Sequence, residues 1–380
     1  MILKVIPFAF VGPGWSSAAN LSVCIATHSS VNRMQSLAEL LLSWKAAASV
    51  AVFVSGPDVQ IVQLFLGYLQ FCYPEALLRV SIHLIHSVER PPVESSLPVG
   101  KKYDCKVHPE KFLEELSPDI GMSMEGKNET ETVYPQNILR NSAIRMCPTE
   151  WIMTVDVDML PPPSLHRRLE NFFAQKENGN CSKCAFALPT YEVKPPNGLA
   201  TPLEMAETLP NTKEDLLRLI KKKSARPFHI KIFKKNQETS KLSRWEKLPR
   251  LPNDDIHVAY VVNYSFWYEP VFVAKRGFPP FDERFLGFGM TRNTQAYEMF
   301  LAGYQFKLLD NAFLVHWGFQ EMKRRPAWRL KQTAANYNLF KNWLLEKTIR
   351  YDSDPLNLTH KIVKNQEKRR FRVTMDKKEG

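Results

Sequence analysis

The sequence predicts an α/β fold in which helices flank a single, Rossmann-like, mostly parallel sheet. Short apolar runs alternate with helical periodicity between residues 20 and 86, which is the pattern of βαβ units. Right-handed crossovers place the strands of such units side by side in a parallel sheet. With 44% apolar and 11% aromatic residues, the 380-residue chain can bury a sizeable core. Because no internal repeat is found, we expect one continuous domain with insertions.

The elements of the first half follow from these patterns. We expect strands at "LSVCIATHSS", "SVAVFVSG" and "RVSIHLIH", with helices over 33–47 and 59–71 between them. The turn "THSSVNR" after the first strand lacks the G-x-G-x-x-G fingerprint, so no dinucleotide site is expected there. Residues 88–133 are rich in Pro, Ser, Glu and Lys and predict a long irregular insertion. A helix is expected over 134–147.

The two ends of the chain are expected to lie outside the domain. The N-terminal run "MILKVIPFAFVGPGW" is about half the length that a membrane-spanning helix needs and is interrupted by two prolines. We therefore interpret 1–19 as a segment before the domain, and two alternatives follow: the chain is soluble as given, or a longer N-terminal membrane anchor is missing from it. The predicted domain covers 20–345, and 346–380 forms a basic tail.

The formal net charge is +12, and the excess is concentrated in two runs, "KKKSARPFHIKIFKK" and "KNQEKRRFRVTMDKK". Such runs attract polyanions in general, including sugar nucleotides and acidic glycans, and a solvated basic face is the alternative. No nucleic-acid-binding motif with recognisable spacing occurs, so no nucleic-acid partner is expected.

The six cysteines are too few for a disulfide scaffold in a chain of this size. The pair in "CSKC" favours a local disulfide or free thiols over a zinc site, because no second ligand pair accompanies it. N-glycosylation triplets, which mildly favour a secretory compartment, start at Asn20, Asn128, Asn180, Asn263 and Asn357.

The run "WIMTVDVDMLPPPS" at 151–164 combines a strand with two acids. Its first five residues suit a strand buried on both faces, which the prolines then end. Because side chains alternate along a strand, Asp156 and Asp158 should project to one side at its carboxyl end, where open α/β sheets bind ligands. Two carboxylates there suit Mg²⁺ or Mn²⁺ with substrate phosphates, and a solvated or capping pair is the alternative. A second Asp-x-Asp, Asp352 and Asp354, lies in a polar, turn-like stretch.

The last third combines strands with an acidic loop. "HVAYVVNYSFWYEPVFVAKR" predicts two strands, and "FKLLDNAFLVHW" predicts a strand pair ending at His316. Asp282 and Glu283 lie between prolines and aromatic residues, where either could act as a general base, with Asp282 slightly favoured. Capping the next turn or pairing with Arg284 is the structural alternative. Glu298, in the helix that follows, is the next candidate for the base.

With these segments, the chain resembles glycosyltransferase family 49, which includes glucuronyltransferases and LARGE-type synthases. The resemblance extends over 20–345 and rests on "YPQNILRNSAIRMCPTEWIMTVDVDMLP", "WYEPVFVAKR", "PPFDERFLGFGMTRNTQAYEMFLAGYQFKLL" and "NAFLVHWGF". The form "VHWGF" is closer to the glucuronyltransferase branch.

The resemblance implies a GT-A fold, a UDP-sugar donor and Mn²⁺, with Mg²⁺ as the alternative ion. It implies that Asp156, Asp158 and His316 hold the metal and that Asp282 or Glu283 is the base of an inverting transfer. It also implies a set of residues beside the donor: Thr27, Arg140, Asn141, Asp156 and Asp158.

The function that the resemblance implies is transfer of glucuronic acid to a glycan or glycoprotein acceptor. The expected place is the Golgi lumen, in a type II membrane protein if the full-length chain carries an anchor. Arg284 and Arg292 are candidates to pair with the sugar carboxylate. The alternatives are a β-1,3-N-acetylglucosaminyltransferase and a non-catalytic GT-A scaffold or lectin-like protein.

Overall fold

This computed structural model describes residues 2–93, 103–119, 133–198, 201–249, 255–322 and 324–361. The strands in this part are β1 (Leu3–Val11), β2 (Val23–Ser30), β3 (Ala47–Phe53), β4 (Val80–Ser87), β5 (Trp151–Thr154), β6 (Cys184–Leu188), β7 (Thr190–Val193), β8 (Ala225–Pro227), β9 (His257–Val261), β10 (Val271–Lys275), β11 (Gln305–Asp310) and β12 (Leu314–Trp317). The helices are α1 (Gln35–Ser43), α2 (Asp58–Cys72), α3 (Pro109–Asp119), α4 (Gln136–Met146), α5 (Leu165–Ala174), α6 (Lys176–Gly179), α7 (Pro202–Glu207), α8 (Lys213–Lys221), α9 (Lys235–Glu238), α10 (Leu242–Trp245), α11 (Arg292–Leu301) and α12 (Ala327–Tyr351).

A nine-stranded sheet forms the centre of the molecule, in the order β1-β4-β3-β2-β5-β10-β6-β11-β9. The run β4-β3-β2-β5 is parallel, as the βαβ pattern predicted, and confirms the α/β class. β10 is antiparallel to both of its neighbours, β5 and β6. Its first residues therefore lie at the sheet edge where β5 ends.

Burial explains why these segments are strands. The residues of β2 up to Ser29, all of β4 and all of β5 are buried, as expected for strands covered on both faces by helices. α4 packs against β2 and β3. It buries Leu139 and Ala143 toward them, together with the polar residues Asn137, Arg140 and Asn141. A helix with buried polar residues at the end of the sheet indicates a polar site there.

β1 lies at the edge of the sheet, antiparallel to β4. The register joins Leu3 to Ser87 and Val11 to Ser81, with an irregularity between Ile6 and Phe10. The first 19 residues, expected as a segment before the domain, therefore contribute a strand to it. Within the described ranges, no helix is long and apolar enough to cross a membrane.

A second sheet of three strands, in the order β12-β7-β8, was not predicted. β7 follows β6 after one residue, so the chain passes directly from the large sheet into the small one. β12 pairs with β7 in parallel, with His316 opposite Glu192. The small sheet thereby places His316 beside β7, beyond the carboxyl end of β6.

All six cysteines form disulfides, Cys24–Cys147, Cys72–Cys105 and Cys181–Cys184. The last is the local bridge that "CSKC" allowed. The first joins β2 to the residue after α4, the two elements that border the carboxyl end of β5.

Several expected boundaries differ from the structure. Within 88–133, expected to be irregular, α3 is helical, and 94–102 and 120–132 lie outside the described residues. The domain end expected at 345 falls inside α12, and the basic run 364–378 also lies outside the described residues. The second Asp-x-Asp forms a turn in which Asp354 accepts hydrogen bonds from the backbone of Leu358 and Thr359.

Candidate active site

The two acids after β5 lie in a turn at the carboxyl edge of the large sheet. β5 ends at Thr154, and the backbone N–H of Met159 donates to the carbonyl of Asp156 at 2.9 Å. Asp156 and Asp158 are therefore turn residues, which corrects the expectation that both extend from the strand. Their side chains are 36% and 34% exposed, so both remain accessible to a ligand.

Asp156 is surrounded by cationic and polar groups that all contact its Oδ1. Arg292 Nη2 lies at 2.7 Å, Arg140 Nη2 at 3.1 Å and His28 Nε2 at 3.4 Å. Burial alone would raise the pKa of Asp156, but Arg292 and Arg140 outweigh burial and hold it well below its usual range. Asp156 is thus a fixed anion whose Oδ2 has no recorded partner among the described residues.

Asp158 faces His316 across a short bridge between the two sheets. Leu160 and Val315 exchange backbone hydrogen bonds at 2.7 and 2.8 Å, which brings the residues beside them together. Asp158 Oδ2 lies 3.7 Å from Nε2 of His316. Burial would lower the pKa of His316, but Asp158 raises it above its ordinary value.

A buried carboxylate beneath His316 organises the surrounding loops. Glu192, fully buried in β7, accepts hydrogen bonds from Arg226 Nε at 2.6 Å, the His229 backbone at 2.9 Å and the Gln320 backbone at 3.2 Å. Gln320 Nε2 in turn lies 3.1 Å from Nε2 of His316. Sequence reasoning missed Glu192, although an acid inside the apolar run "CAFALPTYEV" was a signal for a buried polar contact.

The chemistry of these side chains fits a divalent cation in part. Among the residues that the structure describes, no group of three or more His, Cys, Asp or Glu is arranged to hold a metal ion. Asp158 and His316 are nevertheless adjacent and supply one carboxylate and one imidazole. Mn²⁺ accepts oxygen and imidazole ligands, and ions of this kind often use few protein ligands plus substrate phosphates. The site therefore fits a metal that arrives with a diphosphate.

α4 holds the acidic loop, residues 281–283, next to the edge of the sheet that carries Asp156 and Asp158. The side chain of Asn141 donates to the carbonyl of Phe281 at 2.8 Å and to Glu283 Oε1 at 2.9 Å, and accepts from the Phe281 backbone at 3.0 Å. Asn137 donates to the carbonyl of Asp282 at 2.8 Å. Arg140, between them in sequence, packs over the Phe281 ring at 5.1 Å. One helix therefore contacts Asp156 and positions the 281–283 loop.

Asp282 and Glu283 have different surroundings. Asp282 accepts a forked hydrogen bond from Arg284, which makes a second forked bond to Glu346. Burial alone would raise the pKa of Asp282, but the bonds from Arg284 outweigh burial, and the net effect is a lowered pKa. Glu283 is 45% exposed and lies 3.6 Å from Arg145. Asp282 thus adopts the structural alternative, pairing with Arg284, and is poorly suited to accept a proton.

Other predicted residues are placed differently from expectation. Thr27 is fully buried inside β2, which continues to Ser30, so its side chain does not reach the surface of the site. Glu298 is 3% exposed and is paired with Lys347 at 2.7 Å. Arg284 and Arg292, the candidates for a sugar carboxylate, already bind protein carboxylates.

Three more residues of the site were missed, in addition to Glu192. His28 and Tyr134 lie beside Asp156, and His28 Nδ1 is 2.8 Å from the hydroxyl of Tyr134. The polar end "THSS" of the first strand was the signal for His28. Glu269 precedes β10, and the acid in "WYEP" between two apolar strands was an unused signal.

Asn141→Ala tests whether this residue serves the loop or the donor. We expect the variant to lower the free energy of unfolding by about 2–3 kcal/mol, because backbone groups of Phe281 lose a buried partner. We expect a smaller loss in Asn137→Ala, which removes one bond to the loop. UDP affinity, measured by calorimetry, should stay near that of the unmodified chain. A selective loss of UDP affinity in Asn141→Ala would instead assign the side chain to the donor.

Comparison with known proteins relates this geometry to a family. A family profile described as "Glycosyl-transferase for dystroglycan" matches residues 22–352. Beta-1,4-glucuronyltransferase 1 of Danio rerio is 28% identical over 346 residues, which cover 88% of this chain and 75% of that protein. Its Homo sapiens counterpart is 28% identical over 341 residues, covering 88% of this chain and 77% of that protein. Xylosyl- and glucuronyltransferase LARGE2 of Mus musculus is 30% identical over 184 residues, which cover 48% of this chain and 24% of that protein.

Among solved structures, the crystal structure of GalNAc-T7 with UDP, GalNAc and Mn²⁺ aligns with 83% of this chain and 47% of that chain. The sequence identity is 8% and the TM-score is 0.39. This similarity is too low to support an inference about the site.

Proposed function

Since the chain belongs to the family of glycosyltransferases for dystroglycan, we propose that it is a Mn²⁺-dependent inverting glycosyltransferase. In this proposal it transfers glucuronic acid from UDP-glucuronic acid to a glycan or glycoprotein acceptor. Mg²⁺ is the alternative ion, and N-acetylglucosamine is the alternative sugar. The expected catalytic domain of 20–345 is close to the 22–352 that the family profile matches, and β1 and the end of α12 extend it at both ends.

The observation that carries the proposal is the pairing of Asp158 with His316 beside an ionised Asp156. Asp156 and Asp158 share the turn after β5, and His316 comes from β12, more than 150 residues later. Asp158 and His316 meet where β5 ends, at the edge at which open α/β sheets bind ligands. A carboxylate and an imidazole at one point suit a metal bound to a diphosphate. The cationic groups around Asp156 keep the first acid charged.

The residues of the site supply separate parts of the transfer. Mn²⁺ bound by Asp158 and His316 would neutralise negative charge on the departing UDP. Arg140 and Arg292 fix Oδ1 of Asp156 and leave Oδ2 for a ligand. An acceptor hydroxyl loses its proton as it attacks the anomeric carbon, so one carboxylate must accept that proton.

The proposal of glucuronic acid as donor sugar is supported by the relatives, several of which are named as glucuronyltransferases. The net charge of +12 favours acidic ligands in general. Because Arg284 and Arg292 are engaged by protein carboxylates, a cation for the sugar carboxylate has to be sought among other residues or freed on binding.

A secretory location is supported by the pairing of all six cysteines, since disulfides persist in oxidising compartments. We therefore propose a compartment of the secretory pathway, the Golgi lumen, as its location. The proposed partners are a UDP-sugar and a glycan or glycoprotein, without nucleic acid.

A donor screen tests the proposal. Each UDP-sugar is incubated with Mn²⁺ and a panel of xylose- and glucose-terminated acceptors, and released UDP is measured. Acceptor-dependent release from UDP-glucuronic acid is expected. Release from UDP-N-acetylglucosamine alone would replace the proposed donor. Mn²⁺-dependent UDP binding without turnover of any donor would indicate a non-catalytic scaffold.

A further inference from the structure

Glu269 lies at the edge of the sheet where β5 ends but has no part in the arrangement described so far. It precedes β10 by two residues, on the side of the sheet where β5 ends. β10 pairs with β5 in an antiparallel register that joins Val273 to Met153. Continued along both strands, this register sets Glu269 across from the turn that carries Asp156 and Asp158.

Glu269 is held from its other side by an asparagine. Asn236, a buried residue of α9, donates from Nδ2 to Glu269 Oε2 at 2.9 Å. Its carbonyl also accepts the Glu269 backbone N–H at 3.0 Å. These two bonds fix both the backbone and the carboxylate of Glu269. Within the described ranges no ion pair engages this carboxylate, unlike those of Asp282 and Glu298.

The charges that face Glu269 come from three elements. Arg292 begins α11, Arg140 lies on α4, and Asp156 follows β5. Burial raises the pKa of Glu269, while the Asn236 bond and the two arginines oppose the shift. The result is a carboxylate more basic than an ordinary glutamate, within electrostatic reach of the cations that hold Asp156.

We infer that Glu269 is the general base of the transfer, an assignment that rests on the proposed function. A hydroxyl of the acceptor sugar gives its proton to the carboxylate of Glu269, and its oxygen forms a bond to the anomeric carbon. The bond from that carbon to the diphosphate oxygen breaks, and UDP leaves with the electron pair. One bond forms and one breaks at the carbon, which inverts its configuration.

Geometry and basicity favour Glu269 over the acidic loop. Asp282 is committed to Arg284, and Glu283 is bonded to Asn141 and lies near Arg145. A general base works best when its pKa lies near the operating pH. Burial raises the pKa of Glu269 toward that range, whereas the bonds from Arg284 lower the pKa of Asp282 away from it.

The test replaces Glu269 with its amide, a substitution that preserves shape and lets the new side chain still accept the bond from Asn236. We expect Glu269→Gln to lower kcat by about 10²–10⁴-fold. The dissociation constant of UDP-sugar with Mn²⁺, measured by calorimetry, should remain within about threefold, because the metal and diphosphate ligands are unchanged. Glu269→Asp keeps a carboxylate and should recover part of the lost kcat.

The pH profile separates a base from a positioning residue. In the unmodified enzyme, kcat should fall as the pH decreases through the raised pKa of Glu269, because the protonated acid cannot accept a proton. This fall of kcat at low pH should persist in Glu269→Asp. It should be absent from the pH profile of the residual activity of Glu269→Gln. Glu150→Gln is a matched control, since Glu150 pairs with Lys275 at the opposite end of β10, and its kcat should be unchanged.

Three results would overturn the assignment. The first is a kcat of Glu269→Gln within about tenfold of the unmodified enzyme. The second is a loss that appears in UDP-sugar affinity, which would make Glu269 a ligand of the donor. The third is an equal or larger loss of kcat in Glu283→Gln. If the unmodified enzyme turns over no UDP-sugar at all, the proposed function itself fails, and the assignment fails with it.

Discussion

Asp158→Asn is expected to lower kcat by about 10³-fold and to remove most of the effect of Mn²⁺ on UDP binding. Asp158 is the carboxylate next to His316, at 3.7 Å, and no arginine in the described part of the chain pairs with it. An amide at this position keeps the shape of the side chain but loses the charge that a divalent cation requires. Since a metal contributes several kcal/mol of charge stabilisation in the transition state, its loss corresponds to a change of this size.

The experiment for Asp158 compares UDP binding with and without Mn²⁺ by calorimetry, alongside turnover. Asp352→Asn is the matched control, because Asp352 belongs to the second Asp-x-Asp, is exposed and ends α12 in a left-handed conformation that asparagine tolerates. We expect the control to match the unmodified enzyme in both measurements. Equal UDP affinity with and without Mn²⁺ in the unmodified enzyme would reject the metal site itself.

Local patterns in the sequence predicted the elements that support the site. The alternation of apolar runs and helical periodicity predicted the strands β2, β3 and β4. Each of these strands is buried along almost its whole length, so its apolar run can be recognised from its own residues alone. The position of Asp156 and Asp158 at the carboxyl end of a strand was predictable for the same reason, since the apolar run at 151–155 directly precedes them. By contrast, β1 was not predicted, because Pro7 interrupts its sequence and its pairing with β4 spans most of the first ninety residues.

The relations inside the site depend on contacts between distant segments, which local patterns do not encode. His316 reaches Asp158 only because Val315 pairs with Leu160. The pairing of Asp282 with Arg284 was a stated alternative, but Glu346, which fixes Arg284 from the other side, lies 62 residues away. Glu269 becomes part of the site only through the antiparallel placement of β10 beside β5.

The buried ion pair between Lys213 and Asp310 yields the second large prediction. Lys213 begins α8, and its Nζ lies 2.8 Å from Asp310 Oδ1 at the end of β11. Both side chains are almost fully buried, and Nζ also lies 4.3 Å from the centre of the Trp245 ring. The pair joins α8, which lies in a lysine-rich part of the chain (195–255), to β11, the strand before β12.

Lys213→Met is expected to lower the free energy of unfolding by about 3–5 kcal/mol, because it removes the ammonium group from the buried Asp310 carboxylate and leaves it only His257 Nε2, which lies 3.7 Å from Oδ2. Adding Asp310→Asn to this variant should restore much of the loss, since asparagine removes the uncompensated charge and can still accept the hydrogen bond from the Asn311 backbone. Arg218→Met provides the control on the same helix, because the Arg218–Asp215 pair is exposed and should contribute about 0–1 kcal/mol. Denaturant titrations of the four proteins measure these differences. If Lys213→Met is no more destabilised than Arg218→Met, the pair does not anchor the 195–255 region to the sheet.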